Sequence, residues 1–339
     1  MDLAAIHAAA RKLEQGELVA FPTETVYGLG ADAENPAAVA RIYAAKGRPS
    51  NHPVIVHLAP HADISYWAQA IPPEAGKLIA AFWPGPLTLI VKRAAHIPAA
   101  VSGGQDSIGL RCPSHPVAQA LLQEFRHGKG GVAAPSANKF GHVSPTTAQH
   151  VRDEFGGDAN NPVACILDGG QSEVGIESTI LDLSRMATHG PVLLRPGHIG
   201  VARIAQVIGI EPRQPDAAAP RASGTLAAHY APRTPVALVD AIHLPETVQR
   251  LHAAGRRLAL LRRTVPPLAN AIAQRELPAT PQGYAHDLYA ALRGMDSVGA
   301  DIILIESPPI EGDWQGVNDR LRRAAHDSRN VLLDLLDAT

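Results

Sequence analysis

From Ile210 to Ala222 the chain exchanges apolar periodicity for Pro, Ala, Asp and Arg, and this interruption divides the rest of the sequence in two. Regular patterns lie on both sides of it. The 339 residues are about twice the roughly 150 of a common single domain, so each side has length for a core of its own. Hydrophobic residues make up 46% of the chain and aromatic ones only 4%, so both cores must be built mainly from Ala, Val, Leu and Ile. The expected division is residues 1–209, a linker over 210–233, and residues 234–339.

Ahead of the interruption, Leu3, Ile6, Ala10 and Leu13 recur at helical spacing, and Gly16 closes that helix before a short strand, Leu18 to Phe21. The next stretch, PTETVYGLGAD, reads as a loop of hydroxyls and glycines at the strand end, where open α/β sheets hold ligands. Asn35 and Pro36 fit N-cap and N1 of a helix running to Lys46. A helix over Pro73 to Trp83 stops at Pro84-Gly85-Pro86. Strands are expected at Leu87 to Val91, Ser107 to Cys112, Gly131 to Ala134, Val163 to Asp168, Ser178 to Leu183 and Val192 to Arg195. Beyond the linker, apolar runs at Val236 to Val239, Leu258 to Leu261 and Ile302 to Ile305 are separated by helical patterns, with a last helix near Val317 to Ala325. The fold class is therefore α/β twice over: a twisted open sheet with helices, then a smaller, Rossmann-like parallel sheet.

A formal net charge of -2 supplies no global field for a polyanion, so anions would have to be held by a local cluster. Neither a G-x-x-x-x-G-K-[ST] loop nor a G-x-G-x-x-G fingerprint occurs, so any phosphate site is assembled from separate segments. The two cysteines, Cys112 and Cys165, lie in apolar strand-like runs and read as reduced core residues. With no secretory pattern at the start and no apolar run near the roughly 18 residues of a membrane span, the expected compartment is the cytoplasm.

Scattered cations and hydroxyls supply the candidate site. In KGRPSNHPVIVH, Lys46 and Arg48 straddle a glycine, and the strand that follows puts Ile55 and His57 on one face and Val54, Val56 and Leu58 on the other. Arg111 lies within a strand, where it needs an anionic ligand or an internal carboxylate. In APSANKFGHVSPT, Ser136 and Asn138 follow a strand, and Ser144 with Pro145 fits N-cap and N1 of a helix reaching Phe155. Glu177, Ser178 and Thr179 open one strand, and Arg195 ends another.

Taken in order, PTETVYGLGAD, KGRPSNHPVIVHL, FWPGPLTLIV, IGLRCPSHP, APSANKFGHVSPT, GIESTI and LLRPG resemble the YrdC/Sua5 family, and the region from HYAP onward, with GADIILIESPP and VNDRLRRAA, resembles the long Sua5 form. The resemblance implies a YrdC-like fold and a nucleotidyltransferase activity: L-threonine, bicarbonate and ATP give threonylcarbamoyl-AMP, pyrophosphate and water. That product supplies the group of t6A at position 37 of tRNAs reading ANN codons, which implies handover to a downstream transferase and leaves weak RNA binding open. Carried over by motif, Thr25, His57, Arg111 and Ser178 match the threonine contacts. Lys46, Arg48, His52, Ser107, Ser136, Asn138, Ser144, Arg195 and Tyr230 match the ATP contacts, with Lys46 and Arg48 also placed as catalytic, no metal ligands among the side chains, and Mg2+ expected to be held through the phosphates. His52 stands where the family pattern commonly has Asn, and Gly224, Thr225 and Leu226 depart from the residues usual before HYAP.

The expected chemistry suits such residues. Every reactant is anionic at the stage where it reacts, so neutralisation and alignment matter more than paired acid and base groups. An RNA-binding module lacks support from the near-neutral charge and the missing basic-aromatic run. A hydrogenase-maturation type of carbamoyltransferase, which contains a similar domain, would need more cysteines for its zinc-finger-like part.

Overall fold

A computed structural model describes residues 2–156, 161–328 and 330–337, with the side chains of residues 327 and 337 left aside. They form two compact units, residues up to 140 together with 144–225, and residues 141–143 together with 226–339.

The first unit carries β1 (Leu18–Phe21), β2 (Gly28–Asp32), β3 (Ile55–Leu58), β4 (Ala68–Gln69), β5 (Leu87–Arg93), β6 (Ser107–Arg111), β7 (Gly131–Ala133), β8 (Val163–Ile166), β9 (Thr179–Asp182) and β10 (Val192–Arg195). They build one twisted sheet in the order β10-β9-β5-β6-β3-β7-β2-β1-β8, with β4 added to β5. The sheet is mixed: β3 runs parallel to β6 and β5 to β9, while β5 and β6 are antiparallel. PTETVYGLGAD is only partly loop, since Gly28–Asp32 returns antiparallel to β1. The glycines there are a requirement of close packing: a Cβ on Gly30 would sit 2.8 Å from Phe21 and Val132.

Strand alternation sorts the sheet into two faces. Val54, Val56, Leu58, Leu89, Val91, Ile108 and Leu110 pack with Val39, Ile42, Leu78 and Ile204 from the covering helices. Each such side chain, fully buried, stabilises by about 1.5–3 kcal/mol before entropy is counted. The opposite face differs along its length. Val19, Phe21 and Val132 are covered by the helices Leu3–Glu14 and Pro116–Glu124. Ile55, Ile90, Ile180, Val192 and Leu194 are covered instead by Ala219 and Ala222 of the expected linker.

That linker is accordingly divided between the units. Its first part is held by backbone pairing, where Leu193 N–H donates to the Arg213 carbonyl and Arg213 N–H to that of Pro191, and by Arg185 reaching Asp216 at 3.0 Å. Leu226 onward belongs to the second unit. There, β11 (Val236–Val239), β12 (Leu258–Arg262), β13 (Ala273–Glu276) and β14 (Ile302–Glu306) form an all-parallel sheet in the order β11-β14-β12-β13. β13 lacked an apolar signal because its residues are alternately half-buried and exposed at the sheet edge. Glu306, at the end of β14, accepts from the amides of Arg263, Thr264 and Val265 and fixes the turn after β12. Among the described residues, no helix is long and apolar enough to cross a membrane.

Candidate active site

Pairing brings the polar residues to one end of the less crowded face. His57 lies opposite Arg111, Ile55 opposite Gly109, and Gly109 opposite Ile90, so these side chains share a face. Toward one end of the strands that face is apolar, and toward the other it carries His57, Arg111, Thr88 and Ser178. The alternation Leu87-Thr88-Leu89 turns Thr88 away from the buried leucines, and its hydroxyl meets that of Ser178 at 2.8 Å. Arg195, at the end of β10, spans the next gap. Its Nε donates to the Ser178 carbonyl at 3.0 Å, Nη2 to the Ser178 hydroxyl at 3.2 Å and Nη1 to the Ser223 carbonyl at 2.9 Å.

Arg48 approaches Ser223 from the other side. The helix Pro36–Lys46 closes with Gly47 at φ 64°, so the Arg48 amide turns back onto the Tyr43 carbonyl. Arg48 Nη2 then reaches the Pro53 carbonyl at 2.9 Å and the Ser223 hydroxyl at 3.2 Å. Its guanidinium also lies 5.8 Å from the Phe140 ring, against which His52 packs edge-on. Partial burial and the charges of Arg48 and Arg221 lower the His52 pKa.

Arg111 is as deeply buried as Arg195. Its Nε donates to the Gly85 carbonyl and Nη1 to the Thr25 hydroxyl at 2.9 Å, while Nη2 stands 2.7 Å from Glu24 Oε1. The internal carboxylate that a strand arginine calls for is thus Glu24. Thr23 and Thr25 share a hydrogen bond at 2.9 Å, which fixes the turn on either side of that acid. His57 is buried, and desolvation together with Arg111 pushes its pKa down to about 3, so it is neutral at physiological pH. Its Nδ1 has no hydrogen-bond partner among the described residues.

The remaining expected residues fall into separate positions. Lys46 is buried, and its ammonium donates to the carbonyls of Ser136 (2.6 Å) and Asn138. Desolvation, then Arg48, lower its pKa well below the ordinary lysine range. Ser136 is bridged to Gly28, and the Asn138 amide donates to the Lys139 carbonyl at 2.8 Å. Ser144 is not a helix cap. The helix begins at Ala148 with Thr147 as its cap, and Ser144 donates to Glu177 Oε1 at 2.5 Å. The extended backbone favoured before Pro145 carries the chain past that point, and Thr147 offers a second hydroxyl. Ser107 stands four residues before Arg111 on β6, paired with Lys92, and is not in the Arg111 cluster. Tyr230 belongs to the second unit, at φ 60°, with His229, Tyr289 and the Arg320 guanidinium around its ring.

Residues 11–197 match the Sua5/YciO/YrdC family, described as "Telomere recombination", and residues 199–326 match "Threonylcarbamoyl-AMP synthase, C-terminal domain". The chain belongs to the Sua5/YciO/YrdC family. It is 38% identical to a threonylcarbamoyl-AMP synthase of Pyrococcus abyssi over 94% of both chains. It is 39% identical to one of Bacillus subtilis, covering 94% of this chain and 92% of that one. Its structure is similar to a crystal structure of P. abyssi Sua5 complexed with L-threonine, at TM-score 0.88 and 37% identity, over 96% of this chain and 95% of that one.

For this Sua5-type chain, three site residues escaped sequence reasoning. Glu24 had a signal in the unpaired strand arginine, but nothing in spacing linked it to Arg111, 87 positions away. Thr88 is legible from period two once β5 is placed. Ser223 sits in ASGT, a stretch whose composition speaks only of a turn, and it is found through the two arginines that converge on it.

Proposed function

We propose that this chain makes threonylcarbamoyl-AMP from L-threonine, bicarbonate and ATP, releasing pyrophosphate and water, and so acts as a nucleotidyltransferase feeding tRNA modification. The observation that carries the reading is the convergence of Arg48 and Arg195 on Ser223 beside a second nest formed by Arg111, Thr25 and His57, on one sheet face. Ser178 joins the two, since it holds Arg195 and adjoins Thr88. Two anion sites side by side suit an amino-acid carboxylate next to a triphosphate.

The residues then work by placement. Arg111 and Thr25 hold threonine, and Arg48 and Arg195 offset charge on the phosphates in a water-poor setting where such charges act strongly. Neutral His57, opposite Arg111 on the neighbouring strand, completes the wall of the amino-acid nest. The carbamate oxygen attacks the α-phosphorus, and pyrophosphate leaves. Mg2+ belongs to the proposal as the counter-ion of the triphosphate. Ser144 and Glu177 are hard oxygen donors that would help hold such an ion, which would offset the charge of the triphosphate. Among the described residues no group of three or more His, Cys, Asp or Glu side chains is arranged to hold a metal ion. Cytoplasmic location and handover to a tRNA-modifying transferase follow from the same reading.

The test is pyrophosphate release by the full chain with ATP, Mg2+ and bicarbonate, with and without L-threonine. Release that depends on threonine, and weakly or not at all on serine or valine, is the expected result. Equal release without any amino acid would overturn the reading.

A further inference from the structure

Glu24 presents an unusual combination of burial and incomplete pairing. Its side chain is 4% exposed, its Oε1 faces Arg111 Nη2, and among the described residues neither carboxylate oxygen accepts an aligned hydrogen bond. Buried polar groups are satisfied in nearly all folded proteins, and a carboxylate has about four acceptor positions to fill. The turn does not force this arrangement by leaving the residue loose, because Thr23 and Thr25 are bonded to each other and the Val174 amide donates to the Glu24 carbonyl. The acid is held in place with capacity to spare.

Threonine supplies what is missing. It arrives as a zwitterion, with a carboxylate that needs a cation and an ammonium that needs an anion, one carbon apart. Arg111 and Glu24 offer the complementary pair 2.7 Å apart. The ammonium nitrogen has no lone pair, so it must lose a proton before it can attack carbon.

We infer that Glu24 receives the α-ammonium of threonine and accepts its proton, while Arg111 takes the carboxylate. This rests on the threonylcarbamoyl-AMP reading. The N–H bond breaks and the proton goes to a Glu24 oxygen, leaving a neutral amine. The amine attacks the carbon of bicarbonate, and carbamate and water result. The carbamate oxygen displaces pyrophosphate from the α-phosphorus, and Glu24 returns its proton to solvent when the products leave.

The neighbouring titratable groups do not serve instead. His57, kept neutral by burial and by Arg111, offers an ammonium no negative charge. The Cys112 thiol, pushed up to about 11 by burial and by the Glu24 charge, keeps its proton.

The experiment measures threonine-dependent pyrophosphate release by wild type, Glu24→Gln and Glu24→Asp from pH 6.5 to 9. Gln keeps an oxygen for Arg111 but cannot take a proton, so E24Q should lose about 100-fold or more in kcat near pH 7, as general bases commonly contribute. Its rate should climb with pH in proportion to free threonine amine, while the wild-type rate climbs less. E24Q with the wild-type kcat and pH profile would overturn the inference and assign Glu24 to holding Arg111 alone. If E24Q does not fold, E24D decides: a slower enzyme with the wild-type pH profile supports the role, and an unchanged kcat and KM for threonine overturns it. Wild type that releases pyrophosphate without regard to threonine would instead overturn the underlying reaction.

Discussion

Arg48 and Arg195, from opposite sides of the sheet face, are both bonded to Ser223, the first through its hydroxyl and the second through its carbonyl. Ser223 thereby holds two guanidiniums at one place. Two guanidiniums gathered on one residue suit a polyanion. Arg195→Lys should therefore not be a conservative change, because a single ammonium cannot reach both Ser178 and Ser223. We expect a loss of about 2 to 4 kcal/mol in kcat/KM for ATP in R195K and in R48A, with the KM for threonine little altered. Steady-state kinetics with each substrate varied in turn checks this.

Arg111→Ala should show the reverse pattern. Its guanidinium is buried against Thr25, Gly85 and Glu24, so truncation also strands the Glu24 carboxylate. The expected loss is about 2 to 5 kcal/mol in kcat/KM for threonine. Calorimetry of ATP binding without threonine should give an affinity near that of wild type. A threonine KM unchanged in R111A would remove this residue from the amino-acid site.

His57 gives the chain a definite acid sensitivity. Its folded pKa of about 3 lies below the ordinary histidine value near 6.5, so between those limits the unfolded chain binds more protons. Stability from this group is thus complete above about pH 6.5 and declines as pH falls toward 3, by up to about 1.4 kcal/mol per pH unit. Urea midpoints taken from pH 4.5 to 7 should fall steeply on acidification in wild type and less steeply in His57→Gln. Equal slopes would show that the imidazole is more solvated than its burial implies.

Periodicity is a property of neighbours in sequence, and what it governs was legible. The strands Leu18–Phe21, Val192–Arg195 and Val236–Val239 and the helix from Pro36 to Lys46 stand where patterns and caps put them. The placement of Ile55 and His57 on one face followed from period two alone. Gly28–Asp32 was hidden because its glycines, needed beside Phe21 and Val132, remove the apolar signal of a strand. Partners across the sheet were hidden for another reason. Whether Arg111 meets Glu24, or Arg195 meets Ser223, depends on strand order and register, which no local window contains. The Ser144 misreading came from two hydroxyls competing for one helix start.

Lys46 separates a framing role from a phosphate role. Its ammonium is fixed on the carbonyls of Ser136 and Asn138, within the turn whose amides bond onward from Ala137 to Tyr27 and from Phe140 to Lys46 itself. Lys46→Met keeps most of the apolar stem and removes the donors. The Ser136 carbonyl keeps the Asn138 amide as a partner, and losing the charged donor costs about 1–3 kcal/mol, partly offset by the relief of a buried charge. The net expectation is destabilisation by about 1–3 kcal/mol, with hydrogen exchange accelerated at the amides of Ala137 and Phe140 but not at Leu193 on the far strand. If ATP affinity fell while stability and those two amides kept wild-type values, Lys46 would act on the nucleotide directly. A joint loss of protection and of ATP affinity would instead make the turn at Ser136–Asn138 the element through which this lysine acts.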